Sequence, residues 1–178
     1  MLNLITIAGK NAGDFYLKKQ LISDFQSLMR TVTSGRTLIV STSFRTDLFY
    51  KADQPKDDDI LKLWRIYSKS KTTNLDYKDI MAIHGEEESL TKYFLSINVL
   101  SSNSYKYRVY RETFQHIFSN DQNNPISETV AQCDQYLIEH TNIKRIPLVD
   151  VGKKTTSVIT NDTLALAMKL IKNRVLSN

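Results

Sequence analysis

Residues 2–8 form a short apolar run rich in β-branched side chains, bounded by Gly9. This is the pattern of a buried strand. Asp14 then stands as N-cap to a helix over residues 15–32, where Leu21, Ile22, Phe25, Leu28, Met29 and Val32 recur at helical spacing. Ser34-Gly35 ends it, and residues 36–43 read as a second strand. A strand, a helix and a strand in this order predict a βαβ unit with the two strands parallel.

Residues 47–56 read as a polar loop. Asp57, Asp58 and Asp59 open a helix to about residue 69, with Ile60, Leu63, Trp64 and Tyr67 as its inner face. Acidic residues at the start and Lys69 and Lys71 at the end complement the helix dipole. Residues 76–83 suggest one or two helical turns. Glu86, Glu87 and Glu88 open a helix through residue 99, and residues 101–104 form a turn. Residues 105–110 alternate aromatic or apolar with basic side chains, as a half-exposed strand does. Residues 119–125 are the most loop-like stretch.

A helix starts at Ser127, with Val130, Cys133, Leu137 and Ile138 on one side. Residues 146–151 then read as a strand, Gly152-Lys153 as a tight turn and residues 156–160 as a second strand. Asn161 or Asp162 caps a last helix whose inner face holds Leu164, Ala167, Met168, Ile171 and Val175. The expected fold class is therefore α/β, or α+β. It comprises an N-terminal βαβ unit, a helical middle, and a C-terminal helix–strand–strand–helix module. The expected organisation is a region over residues 1–120 and a module over 121–178, packed as one unit.

The C-terminal third carries the most specific pattern. A helix from Glu128 leads into Asn142-Ile-Lys-Arg-Ile-Pro-Leu-Val-Asp150. A Gly-Lys turn and a strand ending Val158-Ile159-Thr160 follow. Over residues 125–172 this is similar to one repeat of the CBS-domain family, whose strand has the form N-I-x-R-hydrophobic-P-V-V-D and whose second strand ends I-I-T. The resemblance implies a nucleotide-sensing module, with Arg145, Pro147 and Thr160 at matching positions and Asp162, beside the family's acidic position, as the candidate residues for contact with an adenine nucleotide. Two positions depart from the family: Ser157 replaces a glycine, and Thr163 stands where an acidic residue binds ribose, with Asp162 one place earlier. The implied roles are thus an adenine nucleotide as ligand, or dimer contacts from a module that no longer binds one. Because such repeats work in pairs, a second copy of the chain is an expected partner.

Composition narrows these options. With 178 residues, 41% hydrophobic and 24% charged, the chain has the profile of a globular domain. No apolar run approaches the ~20 residues of a membrane span, and the N-terminal run is too short for a secretory leader. Cys133 is the single cysteine, so no intramolecular disulfide forms, which suits a reducing compartment. A cytoplasmic protein with no membrane partner is expected.

Candidate chemistry is sparse. His84, His116 and His140 are far apart and no zinc spacing occurs. No nucleophile–base arrangement can be proposed, and Asp134 and His140 read as helix surface. Gly9-Lys-Asn-Ala-Gly13 lacks the pattern of a phosphate loop and reads as a plain connection. The expectation is a non-enzymatic protein with no metal. The net charge of +5 permits anionic partners. Lys62, Arg65, Lys69, Lys106, Arg108 and Arg111 are interleaved with Tyr67, Tyr105, Tyr107 and Tyr110, which suits a nucleic-acid backbone with base stacking. A solvated face balanced by Asp57–Asp59 and Glu86–Glu88 explains the same residues. The alternative to a nucleotide sensor is therefore a basic nucleic-acid-binding accessory protein, or an assembly protein of a phage or mobile element.

Overall fold

The computed structural model describes residues 1–68, 79–121, 123–149 and 160–172. The protein is α+β: among the described residues six helices accompany one four-stranded antiparallel sheet. The chain divides into two compact units, residues Met1–Ser89 and Leu90–Asn178.

The first unit holds the sheet. Its strands are β1 (Leu2–Ala8), β2 (Leu38–Ser41), β3 (Arg45–Lys51) and β4 (Ile80–His84), in the order β2-β3-β1-β4. The expected parallel pair of the first two strands is not formed. β3 lies between them, antiparallel to both. Residues 47–51, expected as the start of a polar loop, belong to β3, and the charged Arg45 and Asp47 are both buried. Arg45 donates to Asp47 from Nε at 2.6 Å and from Nη2 at 2.8 Å, and Thr6 Oγ1 donates to Asp47 Oδ1 at 2.6 Å. On the opposite face Leu48 and Tyr50 alternate into the core. A short reversal joins β2 to β3: Thr42 N and Oγ1 both donate to Arg45 O, at 2.8 and 2.7 Å. Such a hairpin needs no crossover, and local closure wins. Residues 80–83, expected as helical turns, are in β4, which pairs with β1 from Asn3↔His84 to Ile7↔Ile80.

Helices α1 (Lys19–Met29) and α2 (Asp57–Ser68) bury Phe25, Met29, Ile60, Leu61 and Trp64 against Ile5, Ile7, Ile39, Leu48 and Tyr50. The first helix begins at Lys19 and not at residue 15. Its approach is spent on other bonds: Leu17 N donates to Ser41 Oγ at 2.9 Å, and Phe15 O accepts Trp64 Nε1 at 3.0 Å. Gly9–Ala12 is a single 3-10 turn. Gly9 has φ +73, and a Cβ there would lie 2.8 Å from Asp79 Oδ1. A carboxylate thus stands beside the loop, where a phosphate cradle needs donors.

Helix α3 (Glu86–Ser101) crosses the division between units. The second unit continues with α4 (Ser104–Asn120), α5 (Pro125–His140) and α6 (Asn161–Lys172). Residues 105–110, expected as a strand, are the start of α4. Tyr107, Tyr110, Phe114 and Ile117 form its buried stripe. A six-residue window of alternating residues fits a helix stripe as well as a strand, and the cap decides it. Asn103 Oδ1 accepts Lys106 N at 3.0 Å, the bond of an N-cap. Helix α5 begins two residues before Ser127, with Asn124 Oδ1 accepting from Ile126 N at 3.1 Å and Pro125 in the first turn. The N-cap of α6 is Thr160, and not the expected Asn161 or Asp162: its O accepts Leu164 N at 2.9 Å and its Oγ1 accepts Thr163 N at 3.3 Å. Residues 146–149 are irregular and not a strand. The remainder of the expected strand–turn–strand, residues 150–159, lies outside the described residues. So does Val175.

Candidate nucleic-acid interface

Two kinds of site residue emerge in the second unit: a buried network that holds residues 145–148, and an exposed face at the start of α4. The network is built on Asp134. This residue shares a helical stripe with Val130, Cys133 and Leu137 and is fully buried. The expectation of a surface position is corrected. A carboxylate in that position must find a cation or stay protonated, and Arg145 supplies it. Arg145 Nη2 donates to Asp134 Oδ1, and Leu148 N donates to Asp134 Oδ2 at 2.7 Å. The other Arg145 nitrogens are engaged as well: Nε donates to Asn98 Oδ1 at 2.8 Å and Nη1 to Tyr107 Oη at 3.1 Å. Tyr107 Oη in turn donates to Ile146 O, and Arg111 Nε donates to Pro147 O at 2.7 Å.

Side chains of α4 and α5 therefore satisfy the backbone of residues 146–148, which explains the absence of a strand there, while Asn98 of α3 holds the Arg145 side chain. Burial works against the Arg145 charge, but the Asp134 carboxylate and Tyr107 more than offset it and raise its pKa. Burial raises the Tyr107 pKa too, with the nearby Asp134 adding to the rise and the Arg145 charge opposing it. Signs of this network were present in the sequence: an acid on the apolar stripe of α5 requires a buried cation.

Of the four residues assigned to a nucleotide by resemblance, Arg145 and Pro147 belong to this network. Thr160 and Asp162 are exposed at the start of α6. Thr160 Oγ1 is 2.9 Å from Thr163 Oγ1. Of the six basic residues, Lys62 is exposed and Arg65 half-buried on α2. Lys106, Arg108 and Arg111 share α4, and Lys69 lies outside the described residues. Arg111 faces the network. Lys106 and Arg108 are exposed, and the Arg108 guanidinium carbon stands 5.8 Å from the centroid of the Tyr105 ring. Tyr105 is 64% exposed. A large aromatic side chain left this far in water, with a guanidinium against it, is a cation–π pair at the surface.

A second polar cluster lies in the first unit and was not anticipated. Tyr50, Asn3 and His84 are neighbours across β3, β1 and β4. Asp57, expected only as helix-capping charge, joins two of them. Tyr50 Oη donates to Asp57 Oδ1 at 2.8 Å, and His84 Nε2 lies 2.6 Å from Asp57 Oδ2. Tyr50 Oη also accepts Lys56 N at 3.0 Å. Burial raises the Tyr50 pKa strongly; the Lys56 N–H lowers it, and Asp57 adds to the rise. The cluster fastens the N-terminus of α2 to the sheet. His140 stacks on Tyr136, with ring centroids 3.9 Å apart, on the exposed side of α5.

Among the described residues no three or more of His, Cys, Asp and Glu are placed to hold a metal ion, and no helix is long and apolar enough to cross a membrane. No protein-family model, curated protein or solved structure matches the chain.

Proposed function

We propose that this protein is a non-enzymatic, nucleic-acid-binding accessory protein acting through the exposed start of α4. The observation that carries this reading is the Tyr105–Arg108 pair: an aromatic ring 64% exposed, with a guanidinium 5.8 Å from its centroid. Lys106 adds an exposed positive charge beside it. Guanidinium and ammonium groups neutralise phosphates, and an exposed ring offers a surface on which a base stacks. The net charge of +5 favours encounter with a polyanion. A cytoplasmic location fits a chain with a single cysteine, Cys133, which is buried.

Fluorescence anisotropy of a labelled mixed-sequence oligonucleotide tests this. The logarithm of the association constant should fall linearly with the logarithm of salt concentration, with a slope of roughly −0.7 to −0.9 per phosphate neutralised. Arg108→Ala should reduce both affinity and slope. Binding that ignores salt, or none at low salt, sinks the proposal.

The CBS-like reading, first from the sequence, is the second proposal: a sensor of adenine nucleotide, or a homodimer made through the C-terminal module. Its support is the exposed placement of Thr160, the N-cap of α6, and Asp162, in its first turn, where backbone donors attract anions. Against it, three Arg145 nitrogens already donate within the protein. Calorimetric titration with AMP and ATP, with light scattering for mass, separates the two forms. Heat that Thr160→Val or Asp162→Ala abolishes would support the ligand. A monomer mass with no heat would remove both.

A further inference from the structure

We infer that the start of α4 takes an unpaired strand rather than a duplex, with Tyr105 as the stacking platform; this rests on the nucleic-acid reading above. The reason lies in how charge is distributed along the exposed side of α4. Tyr105, Arg108, Glu112 and His116 follow one another at spacings of three and four, so they form one stripe. The exposed positive charges, Lys106 and Arg108, lie within the first five residues of α4. Glu112, exposed, stands one turn further on. At about 1.5 Å of rise per residue, the carboxylate is only about 6 Å along the axis from Arg108.

A duplex lying along this stripe would bring its phosphates past Glu112. A strand that crosses α4 near its N-terminal end meets Arg108 and Lys106 and avoids the carboxylate. The ring adds a second constraint. A base inside a duplex has both faces covered by its neighbours in the stack, so it has no face to give to Tyr105. An unpaired base has one. Arg108 serves both parts of such a site. Its guanidinium can stay against the ring as the base stacks, or move to the phosphate while the base takes its place. Buried Tyr107 and Tyr110 share none of this: they lie on the opposite, inner stripe.

The test is anisotropy with a fluorescein-labelled 12-nucleotide single strand and with the same strand annealed to its complement, at fixed salt. The single strand should bind at least about tenfold more tightly. Tyr105→Ala should weaken single-strand binding about tenfold and leave the duplex unchanged. Tyr105→Phe should stay within about twofold of wild type, because the ring and not the hydroxyl does the stacking. Glu112→Gln should raise duplex affinity more than single-strand affinity. Equal binding of both forms, insensitive to Tyr105→Ala yet lost with Arg108→Ala, would overturn the unpaired strand and keep nucleic-acid binding. No binding of either form by folded protein would overturn both. Tyr105 is exposed, so its variants fold, and circular dichroism verifies it.

Discussion

Among the described residues, each unit buries an arginine against an aspartate, Arg45 with Asp47 and Arg145 with Asp134, and the two pairs do different work. In the first unit Arg45 and Asp47 are two residues apart on the same strand. The two-residue repeat of a strand puts them on one face, and Thr6 of the neighbouring strand completes the site. In the second unit Asp134 of α5 meets Arg145, which lies in an irregular segment. There the pair does not decorate a regular element. Asp134, with Tyr107 and Arg111, supplies hydrogen bonds that the backbone of residues 146–148 would otherwise seek in a sheet, and Asn98 holds the Arg145 side chain in place. A buried pair of ions can thus be a local accommodation to a strand, or the reason why a segment has the shape it has.

The sharpest way to break this contrast is to remove one partner. Asp134→Leu leaves a buried guanidinium without its counter-ion and the Leu148 N–H without its acceptor. It should cost about 3–5 kcal/mol, read as a fall in urea midpoint. The double variant Asp134→Leu/Arg145→Met should lose distinctly less than the single, since no charge is then stranded. A double variant worse than the single would mean that the pair itself dominates the stability of this segment. Asp47→Ala should cost less, about 2 kcal/mol. Arg45 sits beside the hairpin turn, from where its long side chain can swing to water. If Asp47→Ala proves the more damaging, the strand pair is no mere local accommodation.

The smallest effect concerns pH. Tyr50 in the first unit and Tyr107 in the second both have raised pKa values, chiefly from burial. An unfolded phenol titrates near pH 10 (about 10) and the folded one above it. The stability each contributes is complete below about pH 10 and is lost as the pH climbs beyond it. Thermal midpoints should therefore drop on the alkaline side, and Tyr50→Phe should flatten that drop more than Tyr107→Phe. Identical alkaline profiles for wild type and Tyr50→Phe would exclude this origin.

Much of the fold was legible where one signal governed an element. Asp57–Asp59 and Glu86–Glu88 announced the starts of α2 and α3, and the apolar run of residues 2–8 announced β1. Legibility failed where polar residues are buried or patterns are short. Asp47 made the stretch from residue 47 look like loop, because its neutralisation by Arg45 is invisible along the chain. Tyr105 to Tyr110 alternates, yet the stripe that matters continues to Phe114 and Ile117. The basic and aromatic residues of the candidate interface were recognised in sequence, but not their sorting. Only a helix sends Tyr105 and Arg108 outward while Tyr107 turns inward.

By itself, the sequence determined the apolar periods, the acidic helix starts and the cationic, tyrosine-rich stretch, because each depends on residues within a few places of one another. Tertiary structure alone decided strand order, the burial of Asp134 and Asp47, and which tyrosines face water. Those outcomes depend on partners far along the chain: β3 inserted between β1 and β2, and Arg145 reaching Asn98 across 47 positions. The free energy of burying a charge is set by what lies beside it in space, and no local pattern encodes that neighbour.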